Sequence, residues 1–255
     1  MRHQLELLLT AIGFFTRLPV PSWLPWSPAR LAPALAWLPL IGGLVGGLCA
    51  LALALFSLVL PPAPAVLLSL GCGVLLTGAF HEDGFADSCD GLGGGWDKAQ
   101  VLAIMKDSRI GSYGVIGIVL LLLTKAAALI GLAQFSLGAA VIALLLAHPL
   151  SRLVAVAIAQ LLPYARAEDE HSKSAAAAQL LAPSGLALAI SCGLLPLLLL
   201  PLTHALMLAG AALLMVLASV RLFRRRLGGY TGDLLGASQQ ASETVCYLLL
   251  LALVS

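Results

Sequence analysis

Charge is what this chain has least of. Lysine, arginine, aspartate and glutamate make up 10% of its 255 residues, against about 25% in a soluble domain, and that scarcity excludes an ordinary soluble globular fold. Net charge is small as well, a formal +2 beside 60% hydrophobic residues. Disorder needs the opposite balance and is excluded too. Cysteine is sparse and unpatterned: Cys49, Cys72, Cys89, Cys192 and Cys246 are odd in number and show no CxxC spacing, which argues against a disulfide framework or a zinc site. What remains is a succession of apolar runs with a mean hydropathy of +1.02, the composition of a polytopic membrane protein.

Arg2 and His3 before the apolar stretch Leu5 to Phe15 faintly resemble a signal peptide. A small-residue cleavage site is missing and the stretch runs into Arg17 and Pro19, so it reads as a retained helix suited to the membrane interface. Crossing a hydrocarbon core of about 30 Å takes roughly 20 apolar residues as helix. Stretches at 33–59, 64–81, 113–133, 136–161, 182–202, 204–222 and about 239–255 qualify. The expected fold is therefore all-α, a transmembrane bundle of six or seven spans in a single domain, 1–255. Barrel strands are excluded because these Leu/Ala-rich runs do not alternate with a period of two. No internal repeat is evident.

The connectors at 61–64, 134–136 and 202–204 carry no Lys or Arg. Segments 1–32, 82–112, 162–181 and 223–238, with helix ends, hold every Lys and Arg except Lys125 and Arg152, and the positive-inside rule makes that side cytoplasmic. Lys125 and Arg152 fall inside spans and should face the bundle interior or a polar cavity. Gly42, Gly43, Gly46 and Gly47 set small residues at helical spacing in the first span, which predicts close helix packing.

Six of the twelve acidic residues fall between positions 82 and 107: Glu82, Asp83, Asp87, Asp90, Asp97 and Asp107. Asp83, Asp87 and Asp90 are spaced i, i+4, i+7, which on a helix places them on one face within an arc of roughly 60°. Like charges so close repel unless a cation neutralises them, and oxygen-only ligands favour a hard cation, Mg²⁺ before Ca²⁺ or Mn²⁺. Glu82 adjoins the set; a solvated acidic loop is the plain alternative. His81 reads equally as a partner of such ligands or as a helix-end histidine. Gly93, Gly94 and Gly95, in the run Gly91 to Asp97, suggest a turn whose N–H groups cup phosphate oxygens. Lys106, Asp107 and Arg109 bring two cations and a carboxylate to the base of the third span. Carboxylates, glycines and cations within some thirty residues are the parts of a phosphoryl-transfer site, although topology alone accounts for the cations.

Arg224-Arg225-Arg226 fits topology and lipid headgroup contact. Asp233 among glycines, then Gln239 and Glu243 one turn apart entering an apolar span, is costly in a membrane unless something polar uses it. In loop 162–181, Arg166 stands apart from an otherwise surface-like stretch.

Five segments, Thr16-Arg17-Leu18-Pro19-Val20-Pro21, His81-Glu82-Asp83-Gly84 through Asp90-Gly91, Met105 through Gly111, Pro163-Tyr164-Ala165-Arg166 and Gly229-Tyr230-Thr231-Gly232-Asp233, resemble in order the cobalamin synthase family, also called adenosylcobinamide-GDP ribazoletransferases. The resemblance covers essentially the whole chain. It implies a multi-pass protein of the bacterial inner membrane with its active site facing the cytoplasm. It also implies Mg²⁺-dependent transfer of the cobinamide phosphoryl group from adenosylcobinamide-GDP to α-ribazole or its 5′-phosphate, releasing GMP. On that reading Glu82, Asp83, Asp87 and Asp90 hold the metal, and Lys106 and Arg109 grip phosphate. Asp107 and Asp233 are the candidate bases, and Arg17 joins Gly93 to Gly95 in binding ligand. Asp233 should then come within roughly 10 Å of the acidic helix. After Arg166 the family tends to be Gly-rich, whereas Glu168 to Lys173 are mixed in charge, so no function is assigned to 167–173.

Two other classes fit part of the pattern. Asp87-Ser88-Cys89-Asp90-Gly91 looks like a fragment of the CDP-alcohol phosphotransferase motif, but the expected companion aspartates after Gly91 are missing. A secondary transporter would also use membrane acids; here most of them fall in a loop or at a helix end.

Overall fold

The computed structural model describes residues 2–24, 27–166 and 179–254; the mixed-charge stretch Glu168 to Lys173 lies outside the described residues. Helices make up the fold. α1 (Arg2–Phe15) is followed by the single-turn α2 (Leu31–Ala34), which runs through a 3-10 turn into α3 (Leu38–Phe56). α4 (Pro62–Thr77) starts on Pro62, whose missing N–H and fixed φ suit a first helical position. It stops at Gly78 and Ala79, both left-handed with φ of 65° and 58°. These two residues turn the chain by 89° into α5 (Phe80–Gly94), and a left-handed alanine is uncommon enough to mark a bend held by its surroundings.

Asp97 ends the next turn by accepting the Gln100 N–H at 2.9 Å, which caps α6 (Lys98–Lys106). α7 (Ser112–Phe135) and α8 (Leu137–Leu161) form a hairpin across Ser136. α9 (Pro183–Leu194) continues as a 3-10 turn to Leu199, and α10 (Leu202–Leu227) ends on left-handed Gly228 before α11 (Gly232–Val254).

All seven apolar stretches are helical, but not all can cross a bilayer alone. Among the described residues, four helices are long and apolar enough, Leu31–Phe56, α7, α8 and α10, or five if the bent pair α4 and α5 counts as one. α9 is short and breaks into a 3-10 turn, and α11 carries Gln239, Gln240, Ser242 and Glu243 on its buried side. Leucines and valines cover the outside, with Val59, Leu123, Leu198 and Leu214 all more than half exposed, the surface that lipid rather than water satisfies.

The core runs where α3 packs on α8, with α7 and α11 alongside. Gly42 and Gly46 make the α3–α8 approach possible: a Cβ on either would meet the backbone carbonyl of His148 or Leu144 at about van der Waals overlap, 2.5 and 2.6 Å. Gly43 and Gly47 meet nothing within 4 Å. Half of the glycine motif therefore serves helix packing and half faces outward.

Candidate active site

The bend at Gly78 and Ala79 lays α5 across one end of the bundle, and the other charged segments gather on it. The Arg17 N–H donates to the Leu76 carbonyl at 2.7 Å, with the guanidinium lying over Gly78. Arg226 donates to the carbonyls of Leu92 and Gly95 at 3.1 and 2.7 Å, so it caps the carboxyl end of α5, a structural role beyond the topological one read from the arginine run. Segment 163–165 and Tyr230 form a one-residue parallel bridge, Tyr230 N–H to Pro163 carbonyl at 2.9 Å and Ala165 N–H to Tyr230 carbonyl at 2.8 Å.

That bridge positions two charged groups. Thr231 is fully buried and its hydroxyl accepts the Leu234 N–H at 3.2 Å, capping α11. Asp233 in the first turn of α11 then receives Arg166 at 3.0 Å. The same turn sits on α5 where α5 has no side chain: a Cβ on Gly84 would lie 3.0 Å from the Asp233 Cα and carbonyl oxygen. Asp233 thus stands on the helix between Asp83 and Asp87, 150 residues away in sequence from the first of them.

The electrostatics follow from this crowding. Burial, then the neighbouring carboxylates of Asp83, Asp233 and Asp90, push the Asp87 carboxyl up to about 7, with Arg166 opposing. Burial also raises Asp233, while Arg166 and the Thr231 hydroxyl act to lower it. Among the described residues, four carboxylates around one guanidinium leave the cluster short of positive charge.

The remaining sequence candidates are distributed around this cluster. Asp90 is buried, and its two oxygens accept the N–H groups of Gly111 and Gly114 at 2.7 and 2.8 Å; it fastens the start of α7 to α5. Asp107 and Arg109 pair with each other at 2.6 Å on the exposed turn before α7. The Arg109 hydrogen bonds hold the Asp107 carboxyl down at about 2. Lys106 is exposed at the end of α6. Gly93 and Gly94 lie inside α5, not in an open turn, and Gly95 is its C-cap, so no cradle of free N–H groups forms there. Gly93 and Gly95 instead admit Tyr113 and Val101 at distances no side chain would tolerate.

Glu82 points the other way, into the bundle. It accepts Gln240 at 2.9 Å, and Gln240 in turn accepts Lys125 at 2.8 Å. Lys125 pairs with Glu243 at 2.6 Å, and Glu243 also receives Gln239 at 2.6 Å and the Tyr247 hydroxyl at 3.2 Å. His148 and Arg152 complete the group at 3.4 and 3.9 Å from Glu243. Lys125 and Arg152 are 3% and 2% exposed, in the bundle interior as intramembrane charges should be. Ser151 joins the group by accepting Gln239 at 2.9 Å; His148, Ser151 and Tyr247 belong to no motif read from the sequence, although a histidine and an arginine four residues apart in an apolar helix are a readable signal.

Among the described residues, no three His, Cys, Asp or Glu side chains converge into a metal cage. The donor set is nonetheless oxygen-only and under-neutralised. Mg²⁺ commonly takes one or two carboxylates and completes its shell with water and phosphate oxygens, so Asp83 and Asp87 fit it without a protein cage.

Membrane-length apolar helices that gather carboxylates and an arginine at one end define a polytopic membrane enzyme. Residues 7–251 match the family model described as cobalamin-5-phosphate synthase. A protein of Shewanella pealeana is 44% identical over 99% of this chain and 97% of its own length, and one of Shewanella frigidimarina 46% over 98% and 95%. A third, of Leptothrix cholodnii, is 47% identical over 96% and 95%. All three carry the name adenosylcobinamide-GDP ribazoletransferase. No solved structure matches the chain. The chain belongs to the cobalamin-5-phosphate synthase family and is a transferase of cobalamin biosynthesis.

Proposed function

We propose that the chain joins adenosylcobinamide-GDP to α-ribazole, or to its 5′-phosphate, with Mg²⁺ as cofactor. The observation that carries this reading is the meeting of Asp83 and Asp87 on α5 with Asp233 and Arg166. Asp83 and Asp87 would hold Mg²⁺, which supplies charge neutralisation for a diphosphate and its leaving group.

The residues of the chain account for the rest. Asp233 takes the proton of the ribazole 3′-hydroxyl as that oxygen bonds to the cobinamide-bearing phosphorus. Its burial raises its basicity, whereas Asp107, held near 2 by Arg109, is the poorer base. The phosphorus–oxygen bond to GMP breaks, and GMP departs with the electron pair. Arg166 orients Asp233 in the free protein and offers its donors to phosphate oxygens as Asp233 is protonated. Asp90 acts through structure: it ties α7 to α5 and carries the turn holding Arg109 and Lys106, where both reach phosphate. Arg17 stiffens the α4–α5 bend beneath the substrate.

The charge asymmetry of the connectors supports placement in the bacterial inner membrane with this end in the cytoplasm. Purified protein in liposomes, given adenosylcobinamide-GDP, α-ribazole and Mg²⁺, should release GMP and stop when EDTA is added. Uptake of substrate without GMP release would make it a transporter instead.

A further inference from the structure

One cavity lies at the same end of the bundle as the acidic cluster and has no part in the chemistry above. It is bounded by Phe14 and Phe15 of α1, Phe80 and His81 of α5, Ala159 of α8 and Gly232 of α11. Its rings meet edge to face, with centroids 5.5 Å apart for Phe14 and Phe80, 5.8 Å for Phe15 and Phe80, and 5.3 Å for Phe80 and His81. The other lining side chains are aliphatic except Tyr230. His81 is 4% exposed, and its Nδ1 has no hydrogen-bond partner among the described residues. A buried ring nitrogen left unpaired costs free energy that a bound ligand can recover.

The cavity lies beside the starts of the two helices that carry the acids, lined by Phe80 and His81 of α5 and by Gly232, Leu235 and Gly236 of α11. His81 precedes Asp83 by two residues, and Gly232 directly precedes Asp233. A Cβ on Gly236, the next turn of α11, would lie 3.2 Å from the His81 carbonyl oxygen, so the start of α11 lies closely against that of α5.

The chemistry of the walls selects among the parts of the proposed substrates. Guanine presents a row of donors and acceptors that a wall with two polar side chains would leave unpaired, at a cost of about 1–3 kcal/mol each. A corrinoid is rimmed with amides and is too wide. A benzimidazole is flat, apolar on both faces and bears one free ring nitrogen that accepts a hydrogen bond. We propose that this cavity seats the benzimidazole ring of the acceptor nucleoside, with Phe14, Phe15 and Phe80 against the ring and the His81 Nδ1–H donating to its free nitrogen. This inference rests on the proposed transferase function.

Two variants test it. Ala159→Leu narrows the cavity, and should raise the KM for α-ribazole by about tenfold or more while leaving the KM for adenosylcobinamide-GDP unchanged. His81→Phe keeps the ring shape and removes the donor. Wild type should use α-ribazole about tenfold better than the analogue with CH in place of the free ring nitrogen, and His81→Phe should use the two equally. A purely structural role for His81 would not erase that discrimination, so the comparison also decides the matter if Ala159→Leu does not fold. The proposal is overturned if Ala159→Leu raises the KM for adenosylcobinamide-GDP instead, or if His81→Phe still prefers α-ribazole. Absence of GMP release from wild type would defeat the transferase reading separately. Equilibrium binding of α-ribazole to wild type and Ala159→Leu would then judge the cavity alone, with equal binding overturning the proposal.

Discussion

Two clusters of charge sit a few residues apart in this molecule and are built on opposite terms. Inside the bundle, Lys125 and Arg152 face Glu243 and Glu82, two cations against two anions, laced together by Gln239, Gln240 and Tyr247. At the end of the bundle, Asp83, Asp87, Asp90 and Asp233 face a single cation, Arg166, among the described residues. A membrane interior tolerates charge only when opposite charges are paired, so the first cluster is balanced in charge. The second is left unbalanced where water and substrate can reach it, and its deficit is a reason for a cation and a phosphorylated substrate to bind. Residues 82 and 83 belong to different clusters because adjacent helical residues differ by about 100° in direction.

The comparison breaks first at Asp87. Asp87→Asn and Asp233→Asn should each lower the rate of GMP release on the order of 10³-fold, with membrane insertion intact. Thermal unfolding in detergent should show Asp87→Asn as stable as wild type or more so, because it relieves repulsion among carboxylates. Near-normal turnover would make the acidic end a merely solvated surface.

The interior cluster should respond in the opposite sense. Glu243→Gln leaves Lys125 and Arg152 short of their counter-charge and should cost about 3–5 kcal/mol of stability, read as a lower melting temperature and loss of protein on extraction. A Glu243→Gln variant that melts with wild type but loses turnover would move Glu243 into the active site.

Packing supplies a smaller contrast on the helix that carries neither cluster. Gly42→Ala forces a methyl against the His148 carbonyl and should destabilise by about 1–3 kcal/mol. Gly43→Ala faces open space and should stay within about 0.5 kcal/mol. Equal effects of the two would mean that α3 is rotated about its axis.

The smallest effect is expected at the exposed turn. Arg109, 87% exposed in its side chain and bonded to Asp107, should on replacement by alanine raise the KM for adenosylcobinamide-GDP on the order of tenfold without moving the melting temperature. An unchanged KM would take Arg109 out of the site.

Much of the fold was legible because apolar runs and helical periodicity are local. Every apolar stretch became a helix, and the carboxylates at 83, 87 and 90 do lie on one helix, as their spacing requires. Lys125 and Arg152 were readable as interior groups because lipid does not tolerate a free charge. The glycine run misled: with Arg226 on its last carbonyls and Val101 and Tyr113 packed against it, Gly91 to Gly94 stay helical where glycine alone would favour a turn.

The sequence by itself determined the membrane class, the helices and the family, since these rest on composition, on period and on motifs carried within single segments. Only the tertiary structure decided which acids act together. Arg166 reaches Asp233 through a one-residue bridge, Asp233 reaches α5 because Gly84 has no side chain, and Glu82 is drawn inward by Gln240. Each of those choices joins residues 67 to 158 positions apart, and no local pattern encodes which distant neighbour a side chain will meet.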